Sequence, residues 1–363
     1  MKKIYFTVTN DLTYDQRMNR ICNSLAENGY AVTLVGRKLK SSLPLPQKTF
    51  RQKRLRCFFN KGPLFYVEYN FRLFFFLLFR KMDCICAIDL DTILPCLFVS
   101  KLKALPRVYD AHEYFTEMKE LWTRPNVQKI WRSIEKFSVP KFKYGYTVSE
   151  GLAELFNKKY GRNYIAIRNL PMLRPLNENI KREDFLVFQG AVNEARGFEY
   201  LIPATKNIPY KLVVCGDGNF MEQLKKLIRE NEVQHKVELK GMMLPEDMRP
   251  IAQEAALGLG LAEKEGLNQF HALPNKFTDY MHAGLPQVAM NFPEYQKING
   301  QYKIAILLDS LSVDLVVETI NKTMTDKQLL NELEQNAMKA REAYNWQNEE
   351  KIFVDFYRRI FNE

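Results

Sequence analysis

Short apolar runs alternate along the chain with segments whose apolar residues recur every three or four positions. Residues 4–9 predict a strand. Residues 17–28 follow as a helix, with Met18, Ile21, Cys22 and Leu25 on one face and Gly29 as its stop. Residues 31–35 are the next strand, so the chain opens as a βαβ unit. Residues 84–88 and 107–110 read as buried strands, and 144–148 and 164–167 complete a first series. Residues 169–183 break the pattern with Pro171, Pro175 and mixed polar residues. A second series then predicts strands at 185–189, 211–215, 236–239, 257–261 and 287–290, with helices at 198–204, 219–230 and 275–282. The tail is helical, with Leu329, Leu330, Leu333, Ala337 and Ala340 on one face and Ile352, Phe353, Phe356, Tyr357 and Ile360 on another.

Two consecutive α/β series predict two Rossmann-like doubly wound domains facing each other across a cleft. The expected bounds are 1–170 for the first domain, 171–182 for a linker and 183–344 for the second domain. Ligands of such sheets bind beyond the carboxyl ends of the strands.

Residues 48–81 depart from this rhythm. They interleave Arg51, Lys53, Arg54, Arg56, Lys61, Arg72, Arg80 and Lys81 with Phe50, Phe58, Phe59, Phe65, Tyr66, Phe71 and Phe74 to Phe76. A helix pair with its aromatics in the core is the expectation. A surface resting on anionic lipid is the alternative.

Charge sharpens that alternative. The net charge is +11, and it is uneven: residues 1–170 hold 30 Lys+Arg against 14 Asp+Glu, and residues 171–363 hold 23 against 28. The first half is thus +16 and the second −5, so the first half suits an anionic partner such as lipid, nucleic acid or a phosphorylated substrate. The apolar run at residues 73–79 is far below the ~20 residues that span a bilayer. Six cysteines show no CxxC spacing, which argues against zinc and reads as reduced thiols of a cytosolic protein.

The densest chemistry lies at residues 274–286. Pro274 starts a helix whose N–H groups and positive dipole end suit a phosphate. Lys276 adds a cation in the first turn, and Asp279, one turn on, suits two ribose hydroxyls. On local physics alone this is an ordinary amphipathic helix with a Gly284-Leu285-Pro286 stop.

The block resembles the donor-site helix of retaining glycosyltransferases of family 4, bacterial polysaccharide-type enzymes with the GT-B fold. Their pattern is Asn-Lys-x-x-Glu-Tyr-Met-x-x-Gly-x-Pro, matched here by Asn275, Lys276, Tyr280, Met281, Gly284 and Pro286, with Asp279 in place of Glu. Gly190 followed by Arg196-Gly197 resembles the family's Gly-x(n)-Lys-Gly element, where a basic residue meets the donor diphosphate. Arg fits there because its planar fork matches phosphate oxygens. Val213 to Gly218 resembles the strand-Gly-x-Gly-helix, read as structural, since a lone GxG is weak for nucleotide. Leu239-Lys240-Gly241-Met242 resembles the loop whose backbone reads the nucleobase.

In the first half, Asp110-Ala111-His112-Glu113 resembles the Asp-x-His-(Asp/Glu) element, whose His lies near the transferred sugar. Tyr14-Asp15-Gln16-Arg17 resembles an Asp-x-Arg on the acceptor side, but Asn10 to Thr13 replaces the usual Gly-Gly loop. The segment 345–363 resembles a terminal helix that packs back on the first domain. Many members carry two Glu eight positions apart. Here position 271 is His, and Glu263 and Glu265 are out of register, so Asn268 and the backbone of residues 266–271 are expected to hold the sugar.

The resemblance implies transfer of a hexose-type sugar, with retention, from a nucleoside-diphosphate sugar to a hydroxyl. The implied catalytic residues are His112, Arg196 and Lys276. The donor is held by Gly190, Arg196, Gly241, Met242, Asn268, Asn275, Lys276 and Asp279, and Asp15, Arg17 and Glu113 lie on the acceptor side. No metal or other cofactor is expected, since cations and helix N-termini neutralise the leaving diphosphate. The implied acceptor is a saccharide or lipid-linked saccharide, in surface polysaccharide or glycolipid assembly at the cytoplasmic face of the inner membrane. The rivals are a nucleotide-sugar epimerase on the same fold and a basic nucleic-acid-binding protein. No nucleic-acid partner is expected, because no known reading module is present.

Overall fold

The computed structural model describes residues 1–13, 15–177, 179–264 and 266–362, and their side chains except those of Lys119 and Glu120. Tyr14 of the Asp-x-Arg motif and the candidate Glu265 lie outside the described residues.

Seven parallel strands form the first sheet: β1 (Lys3–Thr7), β2 (Ala31–Lys38), β3 (Arg51–Arg56), β4 (Cys84–Ile88), β5 (Arg107–Ala111), β6 (Tyr144–Thr147) and β7 (Ile165–Ala166), in the order β3-β2-β1-β4-β5-β6-β7. Six parallel strands form the second: β8 (Glu183–Gln189), β9 (Lys211–Cys215), β10 (Val237–Gly241), β11 (Ala255–Gly260), β12 (Gln287–Met290) and β13 (Ala305–Leu308), in the order β10-β9-β8-β11-β12-β13. The central strands read as unbroken apolar runs because helices cover both faces of a parallel sheet. Every residue of Cys84-Ile85-Cys86-Ala87-Ile88 is buried, as is every residue of β11. In each sheet the strand order reverses once, between β1 and β4 and between β8 and β11. Those two switch points are where open α/β sheets bind ligands.

The sheets belong to two compact units. The first comprises Met1–Asn169, Gly266–Ala272 and Glu349–Glu363, and the second Leu170–Glu265 and Leu273–Asn348. Three details differ from the sequence expectation. Residues 48–81 are not a helix pair: Arg51–Arg56 is an edge strand on β2 and only Gly62–Leu78 is helical. An edge strand needs no buried alternation: Arg51, Lys53 and Arg56 are exposed, and the half-buried Arg54 donates to the Asp11 and Leu43 carbonyls and to Thr13. The presumed linker is held in the second unit, where Trp346 N–H donates to the Pro171 carbonyl at 2.9 Å and Gln347 brackets Leu173 with bonds of 2.9 and 3.1 Å. Finally, residues 266–271 form the short helix Gly266–His271, and this segment packs within the first unit.

That packing is close. Ser149 Oγ donates to the His271 carbonyl at 2.6 Å, and a Cβ on Gly151 would meet His271 Nδ1 at 2.6 Å. Gly266, at φ 72°, sits against Trp122, where a Cβ would come within 2.5 Å of the ring. The last helix, Trp346–Phe361, packs Tyr357 on Phe6 and sets Phe353 and Phe356 edge-on to Tyr146. No described helix is long and apolar enough to cross a membrane.

Candidate active site

In the first unit, the chain leaves the buried ends of β4 and β5 with polar residues. Asp110, the fourth residue of β5, is fully buried. Arg17 reaches it at 3.2 Å from the first helix, Gln16–Glu27, and His112 Nε2 lies 3.0 Å from its other oxygen. Burial alone would raise the Asp110 carboxyl, but His112 and Arg17 outweigh it and hold the group below its usual range. Burial likewise pushes the His112 imidazole down, and the Asp110 carboxylate more than reverses this, so His112 is raised above 6.5. The His112 backbone N–H donates to Asp89 Oδ1 at 2.9 Å. Asp89 follows β4 in the left-handed region at φ 51°, which turns the chain sharply there. Two residues on, Asp91 accepts from the Thr9 hydroxyl.

Asp89 and Asp91 were not singled out in the sequence. Burial raises Asp89 to about 8, with Asp91, Glu113 and Asp110 adding to the shift against His112. Burial raises Asp91 to about 6 against the Thr9 bond and His112. The signal that marked Asp110 and His112, polar residues just past an apolar strand, also holds for Asp89 and Asp91 after Cys84–Ile88.

The other first-unit candidates divide. Asp15 caps the first helix by accepting Met18 N–H at 2.9 Å, and it takes a second bond from Asn10 at 2.6 Å. Arg17 is buried and also donates to the Ile167 carbonyl at 3.0 Å, so it positions Asp110. Glu113 is half-buried beside the cluster. Asn268 lies in this unit, and its side-chain oxygen accepts Tyr114 N–H at 2.7 Å. The loop expected to hold the sugar is thus a helix whose Asn268 oxygen is engaged by the backbone after His112.

In the second unit, three loops meet past the ends of β8, β9 and β10. Gly190 N–H donates to the Cys215 carbonyl at 2.9 Å, Val192 N–H to Asp217 at 3.1 Å and Gly216 N–H to Gly241 at 2.8 Å. A Cβ on Gly216 would lie 1.9 Å from the Gly190 oxygen, and one on Gly218 2.2 Å from that of Val192. Gly216-Asp217-Gly218 therefore lets two loops pass in contact. Gly241 stands at φ 70°, with Met242 exposed beyond it.

Across the switch point, Glu263 N–H donates to the Ala195 carbonyl at 3.0 Å, tying the loop after β11 to the one carrying Arg196. The helix Asn275–His282 begins beside them after Pro274, which contributes no capping side-chain bond of its own. Tyr280 fixes its direction: the ring fills the space a side chain at Gly258 would need, and the hydroxyl bonds Gln189 N–H at 3.0 Å and the Val187 carbonyl at 3.1 Å. Gln189 in turn donates to Asp279 at 3.0 Å. Asn275 is exposed at the helix start.

Lys276 passes Gly190 and lays its ammonium over the Phe188 ring, 3.6 Å from the centroid. A Cβ at Gly190 would make only ordinary contact with it, 3.9 Å from Cε. Burial, and then the neighbouring Arg196 guanidinium, push the Lys276 ammonium well below its usual range. The fold thus brings Gly190, Arg196, Lys276, Asp279 and Gly241 to the carboxyl ends of β8 to β11. A strained cation beside a guanidinium at a helix start is suited to an anion.

Comparison with known proteins agrees with this geometry. Residues 174–340 match the family described as glycosyl transferases group 1. Most of the second unit is thus similar to a glycosyltransferase domain, and this match marks the chain as an enzyme. A search of curated proteins gives no match. Among solved structures, sucrose-phosphate synthase from Thermosynechococcus elongatus superposes with a TM-score of 0.81 at 14% identity, covering 100% of both chains. HepE from Anabaena, in complex with UDP-glucose, gives 0.73 at 13% identity, covering 98% of this chain and 99% of that one. WaaG, a glycosyltransferase involved in lipopolysaccharide biosynthesis, gives 0.72 at 16% identity, covering 97% and 98%. The fold is that of GT-B glycosyltransferases, two Rossmann-like parallel-sheet domains.

Proposed function

We propose that this glycosyltransferase moves a hexose-type sugar, with retention, from a nucleoside-diphosphate sugar to a hydroxyl of a saccharide or lipid-linked saccharide. The observation that carries the reading is the Lys276–Arg196 pair at the β8–β11 switch point. Two neighbouring cations, one destabilised by burial, gain most from a ligand with clustered negative charge. A diphosphate is that ligand, and Asp279, oriented by Gln189, suits the ribose diol.

In the reaction the bond from the anomeric carbon to the diphosphate oxygen breaks, and Lys276, Arg196 and the N–H groups at the start of Asn275–His282 stabilise the charge that develops. The acceptor oxygen bonds to the anomeric carbon on the same face, and its proton passes to the departing diphosphate. This ion-pair route is the one implied by the family 4 resemblance, and protein cations supply its positive charge. His112, held by Asp110 and Asp89, contacts the transferred sugar. HepE with UDP-glucose supports a uridine donor, and WaaG, involved in lipopolysaccharide biosynthesis, supports a role in surface polysaccharide or glycolipid assembly.

A thermal-shift series with UDP, GDP, ADP and their sugars tests the donor. Selective stabilisation of about 2.7 kcal/mol is expected at a hundredfold excess over Kd. No shift with any nucleotide would remove the diphosphate assignment. Anomeric analysis of the product by NMR tests retention, and sugar rearranged without an acceptor would favour an epimerase.

A further inference from the structure

The first unit exposes more apolar surface than its core requires, and it does so in one region. The helix Gly62–Leu78 is apolar on both sides. Phe65, Tyr69, Leu73 and Leu77 face the core, whereas Leu64, Val67, Phe71 and Phe75 are 57%, 68%, 65% and 41% exposed. The latter four recur at three- and four-residue spacing, so they form a second stripe along the solvent side. Exposed Phe79 follows the helix's last turn, and exposed Phe58 lies against Arg72 at its middle. The helix Ile93–Leu102 packs alongside and adds exposed Phe98 and Leu102, and Phe98 touches the exposed Phe137 of the helix Pro125–Ser138.

The polar surroundings of this stripe are basic. Residues 48–81 hold nine Lys or Arg and one carboxylate, Glu68. Glu68 is turned inward onto Phe58 and Phe59 N–H at 2.9 Å and onto Arg72 at 2.7 Å. Arg51, Lys53 and Arg56 stand outward on the edge strand β3. Between that strand and the helix runs a groove of about 350 Å³ lined by Leu55, Arg56, Phe71, Arg72 and Phe75. Its apolar residues suit hydrocarbon and its two guanidiniums suit a phosphate.

We propose that this face docks the protein on an anionic phospholipid bilayer, with Leu64, Val67, Phe71 and Phe75 in the headgroup–acyl boundary and Arg51, Lys53, Arg56 and Arg72 on lipid phosphates. Two arguments select lipid. A row of aliphatic and phenyl side chains flanked by cations matches an interface that is apolar below and anionic above. A second copy of the chain would bring two +8 segments together, and a cationic edge strand resists pairing with its like. The face extends the proposed function by naming where a lipid-linked acceptor is met, and it fails or stands separately from the donor site.

Flotation of the full chain with phosphatidylcholine vesicles, with and without about one-third phosphatidylglycerol, tests it. The wild type is expected to float only with the anionic vesicles and to be largely released by high salt. Phe71→Ser with Phe75→Ser weakens binding at least about tenfold. Arg51→Ser with Lys53→Ser and Arg56→Ser weakens it on the order of a hundredfold. Leu244→Ser, an exposed leucine of the second unit, leaves it unchanged. UDP-induced stabilisation is retained in all of these variants, which separates loss of docking from loss of fold. Failure of the wild type to float, equal flotation with neutral vesicles, or a dimer in light scattering dispersed by the phenylalanine changes would overturn the proposal. Retention on RNA abolished by the same arginine changes, without vesicle binding, would also overturn it.

Discussion

The two switch points occupy equivalent places in their sheets and are built from opposite kinds of group, carboxyls in one and cations in the other. Past β1, β4 and β5 lie Asp89, Asp91 and Asp110 with His112; burial lifts Asp89 to about 8 and Asp91 to about 6. Past β8 and β11 lie Lys276 and Arg196, and burial pushes Lys276 down. The first set is largely settled internally, since Arg17 and His112 share the Asp110 carboxylate, Thr9 donates to Asp91 and the His112 N–H donates to Asp89. In the second, Arg196 repels the Lys276 ammonium. One crevice is organised to hold an imidazole in a fixed pose, and the other stores a cost that an incoming anion relieves.

The largest test of this contrast is removal of the cations. Lys276→Ala or Arg196→Ala is expected to reduce kcat/KM by roughly 10²–10³-fold, as loss of one charge-stabilising donor does in other enzymes. Unchanged turnover in both would break the comparison. Replacing Gly216 with Ala should come next, costing about 2–4 kcal/mol by thermal melting, because its Cβ would strike the Gly190 oxygen at a φ of 150°. A protein that melted normally would show that the two loops separate freely.

Protonation sharpens the contrast further. Calorimetry of UDP binding in buffers of different ionisation enthalpy should show net proton uptake in mildly alkaline solution, because the diphosphate restores the Lys276 ammonium. Lys276→Met should abolish the uptake. The first crevice should behave oppositely. His112 gains affinity for its proton on folding, so its contribution to stability is full below about pH 6.5 and fades as pH rises through the folded value. Asp110 loses affinity, so its contribution is full above about 3.8 and fades as pH falls. The pair is therefore strongest between these values, and Asp110→Asn should bring the His112 NMR titration down. The smallest effect belongs to Asp15→Ala, about 1 kcal/mol of helix capping, with donor KM unchanged.

How much of this was legible depends on what each residue answers to. Cys84–Ile88 and β11 announce themselves because a strand covered on both faces must be apolar throughout. β3 does not, since an edge strand of Arg51, Lys53, Arg54 and Arg56 buries almost nothing. Lys276 and Asp279 stood out only through their motif; on local physics their helix is ordinary. The setting of Asn268 was not legible, because its partner, Tyr114 N–H, lies 154 residues away. Asp89 and Asp91 obey the same rule as His112, polar residues just past an apolar strand, but belong to no motif.

The segment Gly266–Ala272 has a genetic consequence. The chain passes between the two units four times, at 169–170, 265–266, 272–273 and 348–349. No single crossover in the gene exchanges one unit intact: a hybrid joined at residue 170 takes its first half from one parent while Gly266–Ala272 and Glu349–Glu363 arrive from the other. Those foreign pieces must still fit Gly151, Ser149, Trp122 and Phe6. Recombination among such enzymes is therefore filtered at these few positions, and chimaeras that carry all three segments from one parent should express where simple halves do not.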